Sequence, residues 1–393
     1  MNSEAANGPA YLGILVTAKR GSGAPFSSRA FYRRLDAAAR SRGFATYVFA
    51  PEWIDWERKQ IRGYAYDESS GEWTRGRFPF PRVVYDRAFF RTKAELDRHR
   101  ALLRRLTAER GVELLGLCLG GKLEVHRLLA KDPETAALLP ATARYTGPGA
   151  LARWLRERGE AVLKPNGSSH GRGVFRLRRI GPDAYEARGR TRANRPAAYR
   201  FGSLNALLRW VDRRLVADSR FLVQAYLTLT ANDGAPYDIR ALVQKDGEGR
   251  WRLTGAAARV GAVGGLTSNL HGGGTSREAA DFLLEQFGEA EAERILESIR
   301  AASMAVPRVL ERWHGPLLEL GIDFGVDRRG RVWLLEVNSK PGRMSFARLH
   351  DQSVRIAAVT SPIRYARYVL DRQLGGQINE FDGKQDSFYE KNG

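Results

Sequence analysis

An α/β fold that opens with a small parallel-sheet domain is predicted by three observations. Short apolar runs of strand composition alternate with amphipathic helical segments over the first 115 residues. Further strands and helices continue in two more units to about residue 374. The chain has 393 residues, 43% of them hydrophobic and 27% charged, which suits roughly two or three globular domains and excludes a disordered or collagen-like chain.

The elements follow in order. Residues 11–17 read as a strand, and residues 27–42 as a helix with Phe31, Leu35 and Ala38 on one face. Residues 46–50 form a second strand, stopped by Pro51. Runs at 61–66 and 72–77 flank Ser69-Ser70-Gly71 and read as a hairpin. Residues 82–85 are another strand, and 92–110 an amphipathic helix carrying Leu96, Leu102, Leu103 and Leu106. These make a first unit, 1–115. A second, 116–221, has helices at 122–130 and 149–158 and strands at 161–164 and 173–177, joined by a glycine-rich loop. The third, 222–374, has strands at 222–227, 238–244 and 251–259, one long helix at 278–305, and strands at 322–326 and 332–337. Residues 375–393 contain no arginine and are strongly polar, so a disordered tail is expected.

The net charge is +20, carried by 54 arginines and only ten lysines. Such a surface favours polyanionic partners, although a bias toward arginine also arises from composition alone. The single cysteine, Cys118, rules out an internal disulfide framework and lies in an apolar run, where a buried inert thiol is expected. No apolar stretch approaches the roughly 20 residues that span a bilayer, and residues 1–9 carry no basic n-region. A soluble, unexported, cytoplasmic protein is expected.

Three constellations could carry chemistry. In Leu163-Lys164-Pro165-Asn166-Gly167-Ser168-Ser169-His170-Gly171-Arg172-Gly173, a strand ends in a lysine and enters a loop whose glycines let backbone N–H groups approach an anion. It is neither a Walker A loop nor a Rossmann fingerprint, and an ordinary polar hairpin is its alternative. From Gly321 to Gly342, two strands meet at Asp327-Arg328-Arg329-Gly330. If Asp327 and Gly330 close that turn, Asp323 lies opposite Leu334, and Glu336 and Asn338 share its face. Three oxygen donors would then converge on an otherwise apolar hairpin, a set suited to a hard cation such as Mg²⁺ shared with phosphates. Asp238 and Arg240 alternate on one face of a strand, placed either to reach a phosphate or to form a surface ion pair. After Arg259, the glycine-rich stretch 261–275, which holds Asn269, reads as a lid, a second anion loop or a linker.

The order of lysine, Gly/Ser loop, hinge strand, arginine strand, glycine loop and Asp…Glu-x-Asn resembles the ATP-grasp superfamily. It is most similar to the YheC/YheD-type group of endospore coat-associated proteins. The carrying segments are 121–129 with 139–143, 163–175, 237–240 and 335–342, within a resemblance that spans about 11–374 and is weak in the first hundred residues. It implies an α+β ATP-grasp fold of two subdomains, 116–221 and 222–374, behind the N-terminal domain. It implies Lys122 and Lys164 as nucleotide lysines, and Ser168, Ser169 and Gly171 as a loop closing over phosphates. Gln224, Ala225 and Tyr226 match the hinge beside adenine, with Gln224 where an acidic residue is common. Arg240 and Arg259, with Lys164, resemble the groups that stabilise the transferred phosphate, and Asn269 is a looser match. Asp323, Glu336 and Asn338 resemble the Mg²⁺ ligands, with Mn²⁺ as the alternative ion.

The chemistry so implied uses ATP to turn a carboxylate into an acyl phosphate, which an amine then attacks, releasing ADP and phosphate. The expected partners are a small-molecule or peptide carboxylate and an amine, with no membrane. Acceptor specificity is expected in the first domain and the cleft, with Asp86 and Arg87 at its edge. Two alternatives stand beside this ligase: a kinase of a polyanionic alcohol, and a non-catalytic, spore-associated nucleotide-binding protein. Nucleic-acid binding is disfavoured, because the basic residues lack the aromatic interleaving of RNA- and single-strand-binding modules. No sequence signal bears on oligomeric state.

Overall fold

A computed structural model describes residues 10–19, 23–90, 92–167, 171–216, 220–265 and 274–389, with side chains to residue 373. The first unit contains β1 (Tyr11–Leu15), α1 (Arg29–Arg40), β2 (Ala45–Phe49), β3 (Ile54–Asp55), β4 (Gln60–Asp67), β5 (Glu72–Pro79), β6 (Val83–Asp86), α2 (Lys93–Thr107) and β7 (Glu113–Leu114). The parallel run β2-β1-β6-β7 is extended by antiparallel β4, which also pairs with β3 and β5. β1 and β6 lie inside the run, so their residues are almost all buried, and β1 and the Val83-Val84-Tyr85 stretch of β6 read as apolar segments, with Asp86 as the buried exception. α2 starts on a capping box in which Thr92 and Glu95 satisfy each other's backbone N–H groups.

The second unit contains α3 (Lys122–Leu129), α4 (Pro133–Ala136), β8 (Thr142–Arg144), α5 (Pro148–Arg158), β9 (Glu160–Pro165), β10 (Phe175–Arg179), β11 (Tyr185–Arg190), β12 (Pro196–Phe201), α6 (Leu204–Trp210) and β13 (Phe221–Gln224). Its sheet has the order β12-β11-β10-β9-β13-β8. Alternation sends Leu163, Phe175, Leu177, Ala187 and Val223 to one face, where they pack with Leu151 and Leu155 of α5 and Leu207 and Leu208 of α6. The opposite face is polar and looks toward the third unit.

That unit contains β14 (Tyr237–Lys245), β15 (Trp251–Val260), β16 (Thr275–Glu278), α7 (Ala279–Phe287), α8 (Glu289–His314), β17 (Glu319–Val326), β18 (Val332–Asn338), α9 (Met344–Ala347) and α10 (Gln352–Tyr389). Its antiparallel sheet, β16-β15-β14-β17-β18, buries Ile239, Ala241, Val243, Ile322 and Phe324 against α7 and α8. The single helix expected at 278–305 is two helices, because Gly288 at φ 77° breaks the first and opens the second. α10 returns to the first unit: Val359, Ile363, Ala366, Val369 and Leu370 share a core with Leu12, Ile14, Leu35 and Val83. The same helix takes in residues 375–389, where the sequence reading expects disorder; no proline follows Pro362 to stop it. No helix among the described residues is long and apolar enough to cross a membrane.

Candidate active site

A cleft of about 1090 Å³ lies between the second and third sheets and is closed at one end by the first unit. Strand register builds its floor. Arg259 pairs with Asp238 across β15 and β14, Arg240 with Asp323 across β14 and β17, and Asp323 with Glu336 across β17 and β18. Directly opposed residues share a face, so these side chains form one row over the sheet, with Asn338 next to it opposite Gly321. Gly321 is required there: a Cβ would come within 2.8 Å of Pro341 and 3.2 Å of Arg240 Nη1.

The register differs from the sequence expectation. Leu334 pairs with Phe324, and Asp323 with Glu336, because the turn spans residues 327–331 and the ladder bulges between Asp323 and Phe324. Leu335 is the extra residue, and its carbonyl oxygen accepts a bond from Lys164 Nζ at 3.4 Å. The face shared by Asp323, Glu336 and Asn338 is the one expected; the opposing partners are not.

Charges along the row are paired. Arg259 donates to both oxygens of Asp238, at 2.6 and 2.7 Å, and its Nη2 lies 3.0 Å from Asp323 Oδ2. Arg240 also clasps Asp323, through Nε and, at 2.9 Å, through Nη2. Burial opposes ionisation of Asp323, but Arg240 and Arg259 outweigh it and hold the carboxyl below its usual range. Glu336 accepts from Lys122 Nζ at 3.0 Å.

The roof carries Lys164 on β9. Its ammonium donates to Gln224 Oε1 at 2.7 Å, and Gln224 Nε2 donates to Thr142 Oγ1 at 2.8 Å. Burial, reinforced by Lys122, draws the Lys164 pKa down to about 8 against the pull of Glu336 and Asp323. Asn166 ties α3 to the glycine-rich connection. Its backbone carbonyl accepts from Lys122 N at 3.1 Å and its Oδ1 from Leu123 N at 2.9 Å. Gly121 leaves room for this side chain, since a Cβ there would lie 2.3 Å from Asn166 Nδ2 and displace it. Gly171, at φ 71°, lines the cleft, as do Ala225 and Tyr226. The Tyr226 ring lies 3.6 Å from the Arg176 guanidinium carbon. Ser168, Ser169 and Asn269 lie outside the described residues.

Two clusters that sequence reading does not assemble join the first unit to this site. Asp86 is buried and lies 2.8 Å from His99 Nε2, 2.9 Å from Lys340 Nζ and 3.2 Å from Cys118 Sγ. Lys340 and His99 overcome the burial of Asp86 and hold it well below the usual carboxylate range, whereas burial beside Asp86 pushes the Cys118 thiol up to about 12. The partly buried place of Cys118 beside Asp86 therefore disfavours the thiolate near neutrality. Glu319, 1% exposed, accepts from Tyr85 at 2.6 Å, Arg87 at 3.2 Å and Gln244 at 2.9 Å, and also from Arg343. Arg87 lines the cleft, while Asp86 lies behind it. The only sequence signal for these contacts was the placing of Asp86 and Arg87 at the cleft edge.

The donor chemistry of the floor fits a hard divalent cation. Asp323, Glu336 and Asn338 offer oxygen alone and face one space. Among the described residues, no three His, Cys, Asp or Glu side chains are grouped to hold a metal by themselves. An ion here would complete its shell with phosphate oxygens and water.

Two lysines from separate elements face a cleft between two α+β units behind an N-terminal α/β unit, with an Asp–Glu–Asn row on an antiparallel floor. This architecture is that of the ATP-grasp class. The model of the YheC/D-like ATP-grasp family matches residues 111–369, and the chain belongs to that family. It is 28% identical over 356 residues to the endospore coat-associated protein YheD of Bacillus subtilis (strain 168), spanning 89% of this chain and 76% of that one. It is 26% identical over 325 residues to the endospore coat-associated protein YheC of the same strain, spanning 83% and 88%. Among solved structures, D-cycloserine synthetase DcsG superposes with a TM-score of 0.53 at 16% identity, over 90% of this chain and 99% of that one, a likeness of fold.

Proposed function

We propose that the protein is an ATP-dependent, ADP-forming ligase that joins a carboxylate to an amine through an acyl phosphate. The observation that carries this reading is the row Arg259–Asp238–Arg240–Asp323–Glu336 facing Lys164 and Lys122 across one cleft. Phosphoryl transfer spreads negative charge over the equatorial oxygens, so catalysis needs fixed cations and orientation rather than a protein nucleophile.

Lys122 and Lys164 would bind the α- and β-phosphates, while Ala225 and Tyr226 would lie beside the base. Arg240 and Arg259 would hold the γ-phosphoryl in line with the attacking carboxylate. A carboxylate oxygen attacks the γ-phosphorus and the bond to the β-γ bridging oxygen breaks, releasing ADP. The amine nitrogen then attacks the acyl carbon, the carbon–oxygen bond to phosphate breaks, and the amine gives up a proton. Asp323, Glu336 and Asn338 would hold Mg²⁺, which would supply charge neutralisation for the phosphates. The glycine-rich connections, with Ser168, Ser169 and Asn269, would cover the phosphates and keep water from the acyl phosphate. The relatives' spore-coat association supports a role in the sporulating cell.

A second reading, a kinase of a polyanionic alcohol, is favoured by the +20 charge. Calorimetry with AMPPNP, with and without Mg²⁺, on wild type and Glu336→Gln tests nucleotide and metal together. AMPPNP binding that Mg²⁺ tightens, with the Mg²⁺-dependent gain abolished by the substitution, is expected; absence of binding in both proteins rejects the enzyme readings. Product analysis then separates them, since a ligase yields free phosphate with a new amide and a kinase yields a phosphorylated product.

A further inference from the structure

The cleft face of the second sheet does not end at the nucleotide lysine. Lys164 shares that face with Val162 and Glu160 on β9, and register carries it outward over three more strands. Arg176 lies opposite Val162, Arg188 opposite Arg176, and Arg200 opposite Glu186. Arg190 stands two residues from Arg188 on the same face, and its backbone N–H bonds the Val174 carbonyl at 2.9 Å. Two guanidiniums are neutralised locally, Arg176 by Glu160 at 2.7 Å and Arg178 by Glu186 at 2.9 Å. Arg188 bonds the Gly264 carbonyl, Arg190 bonds Asn194, and neither these nor Arg200 has a carboxylate partner among the described residues. Arg188 and Arg200 are exposed.

We infer that this arginine face is a track that binds an acidic peptide in extended form and leads its carboxylates into the cleft, toward the phosphates proposed to lie against Lys164. The inference deepens the ligase reading by naming its substrate class, and it rests on that reading for the reaction. Same-face residues recur about every 7 Å along a strand, as do alternate side chains of an extended peptide, and neighbouring strands stand about 4.8 Å apart. The backbone of Arg190 is therefore about 10 Å from that of Lys164, two strands away, and those of Arg188 and Arg200 lie farther out. Guanidinium pairs well with carboxylate, as Arg176 and Arg178 already do on this face. A single-stranded nucleic acid fits less well, because β10, β11 and β12 place no aromatic side chain on this face to stack successive bases, and the Tyr226 ring against Arg176 lies at its inner edge, where the nucleotide base is proposed.

The test is fluorescence anisotropy of a labelled oligo-glutamate peptide on the full chain, with and without saturating AMPPNP. Binding is expected in both conditions, weakening with salt. It should fall about tenfold or more in R188E/R200E and stay near wild type in R300E/R308E, a reversal of two exposed arginines on α8. R188E/R200E should keep its melting temperature and AMPPNP affinity; if it misfolds, R188Q/R200Q must show a severalfold loss. Absence of peptide binding, equal loss in the α8 variant, or tighter binding of a charge-matched single-stranded oligonucleotide overturns the inference. Peptide binding without AMPPNP binding would remove the nucleotide reading and leave the track; the reverse would remove the track alone.

Discussion

Lys164 offers a direct test of the cleft's electrostatics through the pH dependence of nucleotide binding. Its ammonium loses hydration in the cleft and faces Lys122, so its pKa sits at about 8. At about pH 9 only about a tenth of the free protein then carries that charge. Phosphates placed against Lys164 favour the ammonium, so binding at about pH 9 should take up about 0.9 proton, against about 0.1 at pH 7. Affinity for ADP should weaken as pH rises above about 8, approaching tenfold or about 1.4 kcal/mol per unit. Calorimetry in EDTA, repeated in buffers of different ionisation enthalpy, reads both the affinity and the proton count without metal. ADP suits the measurement because its phosphates are already ionised there. Lys164→Arg keeps its charge throughout and should give a flat profile. ADP binding at about pH 9 without proton uptake, or an equally steep profile in Lys164→Arg, would refute the reasoning.

Three further outcomes follow from the geometry. Glu319→Gln removes the charge that Arg87 and Arg343 share while keeping the shape, and should cost roughly 3–5 kcal/mol in urea unfolding. Because the folded pKa of Glu319 is lowered, its stabilisation is present above the ordinary carboxylate range and lost as pH falls through the folded value; the variant should therefore show a shallower acid limb in its melting temperature. Gly121→Ala drives a methyl into Asn166, so the Asn166 bond to Leu123 should break and ADP affinity should fall severalfold with Lys122 intact. Asp238→Asn leaves Arg259 to Asp323 alone, so Mg²⁺ titrated into the ADP-saturated protein should bind severalfold more weakly, while metal-free ADP affinity stays near wild type.

The legible part of the site was its alternation. Glu336 and Asn338 interrupt an apolar strand at a spacing of two, and Asp323 does the same on its neighbour, so a shared face followed from strand geometry alone. Register did not follow, because nothing in Trp333-Leu334-Leu335 marks which residue bulges. Alternation puts Asp238 and Arg240 on one face, but the partner of Asp238 is Arg259, 21 residues on, and depends on how β14 and β15 meet. Asp86, His99, Cys118 and Lys340 come from four separate segments, and only tertiary structure assembles them. Gly288 was visible, yet apolar periodicity continues on both sides of it and hid the break between two helices.

The paired charges of the floor bear on how the cleft can be stable before it is filled. Asp238, Arg259, Asp323 and Arg240 are all largely withdrawn from water, and a single uncompensated charge among them would cost several kcal/mol. Adjacent strands place opposite charges face to face, so each group is satisfied by a neighbour that the sheet holds in place. The same guanidiniums can exchange a carboxylate for a phosphate, because their planar forks match both geometries. In the proposed reaction, Arg240 and Arg259 would turn from Asp323 to the γ-phosphoryl, and Lys122 from Glu336 to the nucleotide. The two carboxylates so released are those proposed to hold the cation. Phosphate and cation then replace the internal partners together, with no charge left buried alone, and for that reason nucleotide and metal should bind to this floor as a coupled pair.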